Sequence, residues 1–84
     1  MNRDTLQPFS AVTLVMGGAE GYRRVNSVRE AAETLLEHWP VEDGEEYVTA
    51  VRVCLDAMMG VICPEAAREA FIKAAEEAGI SLLQ

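Results

Sequence analysis

The chain has 84 residues, half of them apolar and a quarter charged, with a formal net charge of −7. That length fits one domain, and that apolar content suffices for a core and argues against disorder. Fourteen acids against seven bases repel the phosphate backbone, which argues against nucleic acid as a partner.

Two cysteines, Cys54 and Cys63, make no disulfide framework and fit a reducing, cytoplasmic setting. No apolar run approaches a membrane span. Residues 1–8 read as a flexible arm ahead of a single domain over 9–84. Residues 9–16, FSAVTLVM, are rich in β-formers and lack a helical period. They lack a basic leader and a cleavage site, so they read as a strand and not a signal peptide. Gly17-Gly18-Ala19-Glu20-Gly21 then reads as a hairpin turn, and residues 22–25, YRRV, as the return strand.

Ser27-Val28-Arg29-Glu30 has the pattern of a capping box, in which hydroxyl and carboxylate each satisfy an orphan backbone donor. Val28, Ala31, Ala32, Leu35, Leu36 and Trp39 follow at helical spacing and predict one apolar stripe. Pro40 ends that helix, because the residue before a proline avoids helical geometry. Asp43-Gly44-Glu45-Glu46 predicts a second cap, with Asp43 as the capping residue. A second helix then runs from about Glu45 to Met59 and stops at Gly60. Its polar residues Glu45, Thr49, Arg52 and Asp56 fall in a strip roughly 60° wide at about 100° per residue. The rest of its circumference is apolar. Such a helix is either the centre of the fold or partly covered by another subunit.

Cys63-Pro64 opens a third helix with proline at its first position. Ala67, Ala70, Phe71, Ala74 and Ala78 form its apolar stripe, and Gly79 with Ile80 supplies a C-terminal cap. Residues 80–83, ISLL, leave room for a third strand beside the hairpin. The expected class is therefore α+β: an N-terminal β-hairpin, three α-helices, and an optional short C-terminal strand.

The segments RRVNSVREAAETLLEHWP, GEEYVTAVRVCLDAMMG and AREAFIKAAEEAGI, in that order, resemble the DUF982 family of small soil-bacterial proteins. The likeness runs from about Val12 to Ile80. Its most specific pieces are Ser27 with Glu30-Ala31-Ala32, Trp39-Pro40, Gly44 followed by Tyr47, and Ala50 through Cys54 to Gly60. That family is one of unknown function. The resemblance implies the fold and an intracellular bacterial origin, and it supplies no catalytic residues.

Candidate sites are few. His38 with the neighbouring acids has no second nitrogen or thiolate at ligand spacing, so a metal site is not expected. No cofactor is expected either, since Gly17-Gly18 precedes a strand and not a helix. Catalytic motifs such as a nucleophile elbow are lacking, and the chain does not read as an enzyme. Cys63, at a helix start where thiolate is stabilised, is the candidate reactive thiol of a redox or sensor protein. Arg23, Arg24 and Arg29 are the basic residues a nucleic-acid-associated protein would use, although strand geometry sends Arg23 and Arg24 to opposite faces. Met58, Met59, Trp39 and Tyr22 are the candidate partner surface. Adjacent Met58 and Met59 cannot both face one small core, whereas Trp39 lies on the core stripe. The leading expectation is a small interaction or regulatory module that forms a homodimer or binds another, unidentified protein.

Overall fold

A computed structural model describes residues 8–15, 21–39 and 43–83. The elements are β1 (Pro8–Val15), β2 (Tyr22–Ser27), α1 (Val28–Glu37), α2 (Glu45–Met58), α3 (Pro64–Glu77) and β3 (Ser81–Leu83). The class is α+β, with hairpin, three helices and the third strand all present. Of the arm expected over 1–8, only Pro8 is described, and it already belongs to β1. Of the turn expected over residues 17–21, only Gly21 is among the described residues, and its φ of +67° is a conformation that favours glycine.

The three strands form one antiparallel sheet in the order β2-β1-β3. Val12, Leu14 and Val25 point inward and are fully buried. Phe9 is buried too, although it stands an odd number of residues from Val12. Strict alternation would send it outward. The register explains the exception: between the pairs Pro8–Ser27 and Val12–Val25, β1 advances four residues while β2 advances two. This bulge re-aims the strand. The carbonyl of Ser10, inside the bulge, accepts a 2.9 Å hydrogen bond from Arg68 Nε on α3.

β2 passes into α1 with no intervening loop. Ser27 Oγ accepts from the Glu30 N–H at 3.2 Å, and Glu30 Oε1 accepts from the Asn26 N–H at 2.9 Å. The carboxylate thus reaches the residue before the cap. Buried positions on α1 are Val28, Ala31, Ala32, Thr34 and Leu35. Leu36, expected on the stripe, is 55% exposed, and Thr34 takes its place in the interior. The helix stops at Glu37, and Trp39 lies beyond it. Trp39 nonetheless packs into the core, with ring centroids 5.5 Å from Phe71 and 6.4 Å from Tyr47.

α1 and α3 lie against the sheet, and α2 packs on α3 and on α1. The buried residues of α2 are all small, Ala50, Cys54 and Ala57, and those of α3 are alanines apart from Phe71. α2 is therefore an outer helix and not the centre of the fold. Three small buried side chains anchor it, and the rest of its apolar surface is left at the margin or outside. Among the described residues, no helix is long and apolar enough to cross a membrane.

Candidate interaction surface

α2 turns outward a face that begins at Val48 and continues through Leu55 to Met59, with exposures of 58%, 44% and 70%. At 100° per residue these three fall within about 40° of one another. With Tyr47, Val51, Arg52 and Asp56 they line an open groove of about 450 Å³. Its walls are mostly apolar. Arg52 and Asp56 are its two charged members. No ion pair or hydrogen bond engages either side chain among the described residues.

The C-terminal end of α2 extends the exposed surface. Gly60 has φ +81°, the Gly60 N–H donates to Ala57 O, and the Val61 N–H donates to Asp56 O. This is the double hydrogen bond of a Schellman cap. α3 ends in the same way at Gly79 and Ile80, where Ile80 N–H donates to Ala75 O. Ile80 packs against the core, as a residue at this position ordinarily does. Val61, its counterpart, is 70% exposed. With Met58 and Met59 it forms an uncovered apolar tip.

The expected partner residues thus separate. Met58 and Met59 lie on this tip. Trp39 is buried in the core, which removes it from any exposed partner surface. Tyr22 is exposed, but it sits opposite Val15 on the sheet face turned away from the helices.

The basic residues do not form one patch. Arg23 lies on the helix-facing side of β2 and its Nε donates to Thr34 Oγ1 at 3.0 Å. Arg24, on the other side, is exposed. Arg29 pairs with Glu33 at 3.4 Å across one turn of α1.

Cys63 is exposed and stands at the N-cap of α3. Cys54 is buried in the core, and that burial pushes its thiol up to about 12. His38 is half-buried at the end of α1, and its backbone N–H donates to Thr34 O. Its Nε2 stands 4.0 Å from Glu37 Oε1. Among the described residues, no group of three or more His, Cys, Asp or Glu side chains could hold a metal ion.

The start of α2 is built differently from the expectation. Its N-cap is Gly44, not Asp43, and two of its first-turn donors, the Glu46 and Tyr47 N–H groups, are met by Glu77 from the end of α3. Tyr47, the next residue along the groove, donates its hydroxyl to Leu35 O at 3.0 Å. These two contacts fix the N-terminal end of the groove against α3 and α1. No local pattern in the sequence signals either, because each joins residues far apart in the chain.

A family model described as Protein of unknown function (DUF982) matches residues 10–82. Neither a curated protein nor a solved structure matches the chain.

Proposed function

The chain belongs to the DUF982 family of proteins of unknown function, and we propose that it is a protein-interaction module working through the outward face of α2. The observation that carries this reading is the apolar groove along Val48, Leu55 and Met59. Large apolar side chains clustered at that exposure mark a surface that a partner covers. The partner side is an apolar helix face, because a groove lying along one helix is the shape a second helix fills. Two unpaired cysteines fit a reducing, cytoplasmic setting for such a module.

A photo-crosslinking amino acid at Leu55, compared with one at Arg24 on the far side, tests the reading in cells. Covalent protein adducts at position 55 and none at position 24 are expected. A chain that folds and forms no adduct at 55 overturns it.

A second reading, a thiol-based sensor, is favoured by the exposure of Cys63 at the start of α3. Alkylation followed against pH tests it. A Cys63 midpoint well below the ordinary thiol value of about 8.5 would support the sensor, and an ordinary midpoint would remove it.

A further inference from the structure

We propose that the α2 groove is filled by α2 of a second copy of this chain, laid antiparallel across a two-fold axis. The proposal rests on the reading of α2 as an interaction surface and names the partner. Self-complementary charge carries it. Arg52 and Asp56 line an otherwise apolar groove, and neither side chain has a bond within its own chain among the described residues. They stand one turn apart on α2, but with the base N-terminal to the acid, which is the poorer order for a pair within one helix. Their better partners lie across an interface.

Only one relative direction of two α2 helices supplies them. Parallel helices related by a two-fold along the seam carry the Arg52–Asp56 flank on opposite sides of the two copies, so neither charge meets its opposite. Antiparallel helices with the axis level with the midpoint of Val53 and Cys54 place Val48 beside Met59 of the second copy. The same register leaves Arg52 one residue, about 1.5 Å along the axis, from Asp56 of the second copy. An arginine side chain spans that offset easily. The two-fold repeats every contact, so both arginines and both aspartates are matched. Antiparallel helices also bring opposite dipole ends together. Val61, exposed beyond the α2 cap, lies at the end of this seam. There it meets the start of the other α2.

Net charge works against the assembly. Each copy carries −7, and this repulsion acts at longer range than the two local pairs. Screening therefore strengthens association between about 0.01 M and 0.15 M salt, as the Debye length falls from about 30 Å to about 8 Å.

Sedimentation of the purified full chain over a wide concentration range tests the proposal. The expected result is a reversible dimer of the 9.2 kDa chain. Arg52→Asp and Asp56→Arg should each weaken it by about tenfold or more, because each replaces two attractions by two repulsions. The double swap R52D/D56R should restore it. Circular dichroism should be unchanged in all three, since neither side chain supports the fold. A monomer up to several hundred micromolar overturns the proposal, and so does a dimer weakened by either single swap but not restored by the double. If the purified chain stays monomeric while position 55 crosslinks in cells to a different protein, the second copy is wrong and the interaction reading stands. If there is neither a dimer nor a crosslink, both fall.

Discussion

Glu77, the last residue of α3, closes the first turn of α2 just beyond Gly44. Its Oε1 accepts from the Glu46 N–H at 3.1 Å and from the Tyr47 N–H at 3.3 Å. Gly44 has an ordinary extended backbone, φ −79° and ψ 148°, so positive φ is not why glycine stands there. A Cβ at that position would overlap the Glu77 carboxylate. The missing side chain lets the acid reach the helix end. The carboxylate also faces the positive end of the α2 dipole. Removing a cap costs about 1 kcal/mol. Glu77→Ala should therefore lower the urea midpoint, and Gly44→Ala should do so by displacing the same carboxylate. The double variant should lose clearly less than the two singles together, because both remove one interaction. Strict additivity would show that Gly44 and Glu77 act separately.

Tyr47 ties the same helix start to α1. Its hydroxyl donates to Leu35 O, one of the last-turn carbonyls that an ending helix leaves without an internal partner. Tyr47→Phe keeps the ring against Trp39 and deletes only the hydroxyl. A loss of about 1 kcal/mol is expected in chemical denaturation. A variant as stable as the parent would mean that water satisfies the carbonyl equally well.

Trp39 is 7% exposed, and its indole Nε1 is buried without a hydrogen-bond partner among the described residues. Its contribution is therefore contact with Phe71 and Tyr47 rather than hydrogen bonding. Trp39→Ala should cost on the order of 3–5 kcal/mol, enough to unfold much of a small domain. Trp39→Phe should cost far less, because it retains an aromatic ring and removes an unsatisfied donor. Melting curves of the two variants decide the point. Equal losses would show that the indole N–H is needed.

The sequence was legible wherever neighbouring residues decide the outcome. The Ser27–Glu30 cap, the Pro64 start and the Gly79–Ile80 stop all rest on contacts within a few residues, and all three stand in the structure. The exchange of Leu36 for Thr34 in the core was not legible. A helical stripe gives the relative positions of its members but not how far the helix is rotated against its neighbours. In the structure the rotation turns Thr34 inward, where Arg23 on β2 donates to its hydroxyl. The cap on α2 was hidden for a related reason. An aspartate stands where a cap is expected, yet the acid that binds lies 31 residues away from Glu46. The outward α2 face was half legible. Its apolar excess was plain, but which side of α2 stays uncovered depends on how the helix is turned as it packs on α3 and α1.

The two thiols should separate sharply in reactivity and in pH dependence. Cys54 is fully buried, and desolvation lifts it from 9.0 to about 12. Cys63 is exposed. A thiol reagent at neutral pH should therefore label one cysteine in the native protein and two in denaturant. Mass spectrometry of digested peptides should place the native label on Cys63. The raised value of Cys54 also links stability to pH. Between about 9 and 12 the unfolded chain releases the Cys54 proton while the folded chain retains it. The slope of unfolding free energy with pH follows the difference in bound protons, unfolded minus folded. That difference is negative in this window, so the contribution is complete below pH 9 and is lost as pH rises toward 12. Cys54→Ala removes the titrating group and leaves a small cavity. Its unfolding free energy should start lower at pH 7 and fall less steeply through the alkaline window than that of the parent. Parallel alkaline profiles for the two proteins would show that Cys54 reaches solvent in the folded state, and equal native labelling of both thiols would say the same.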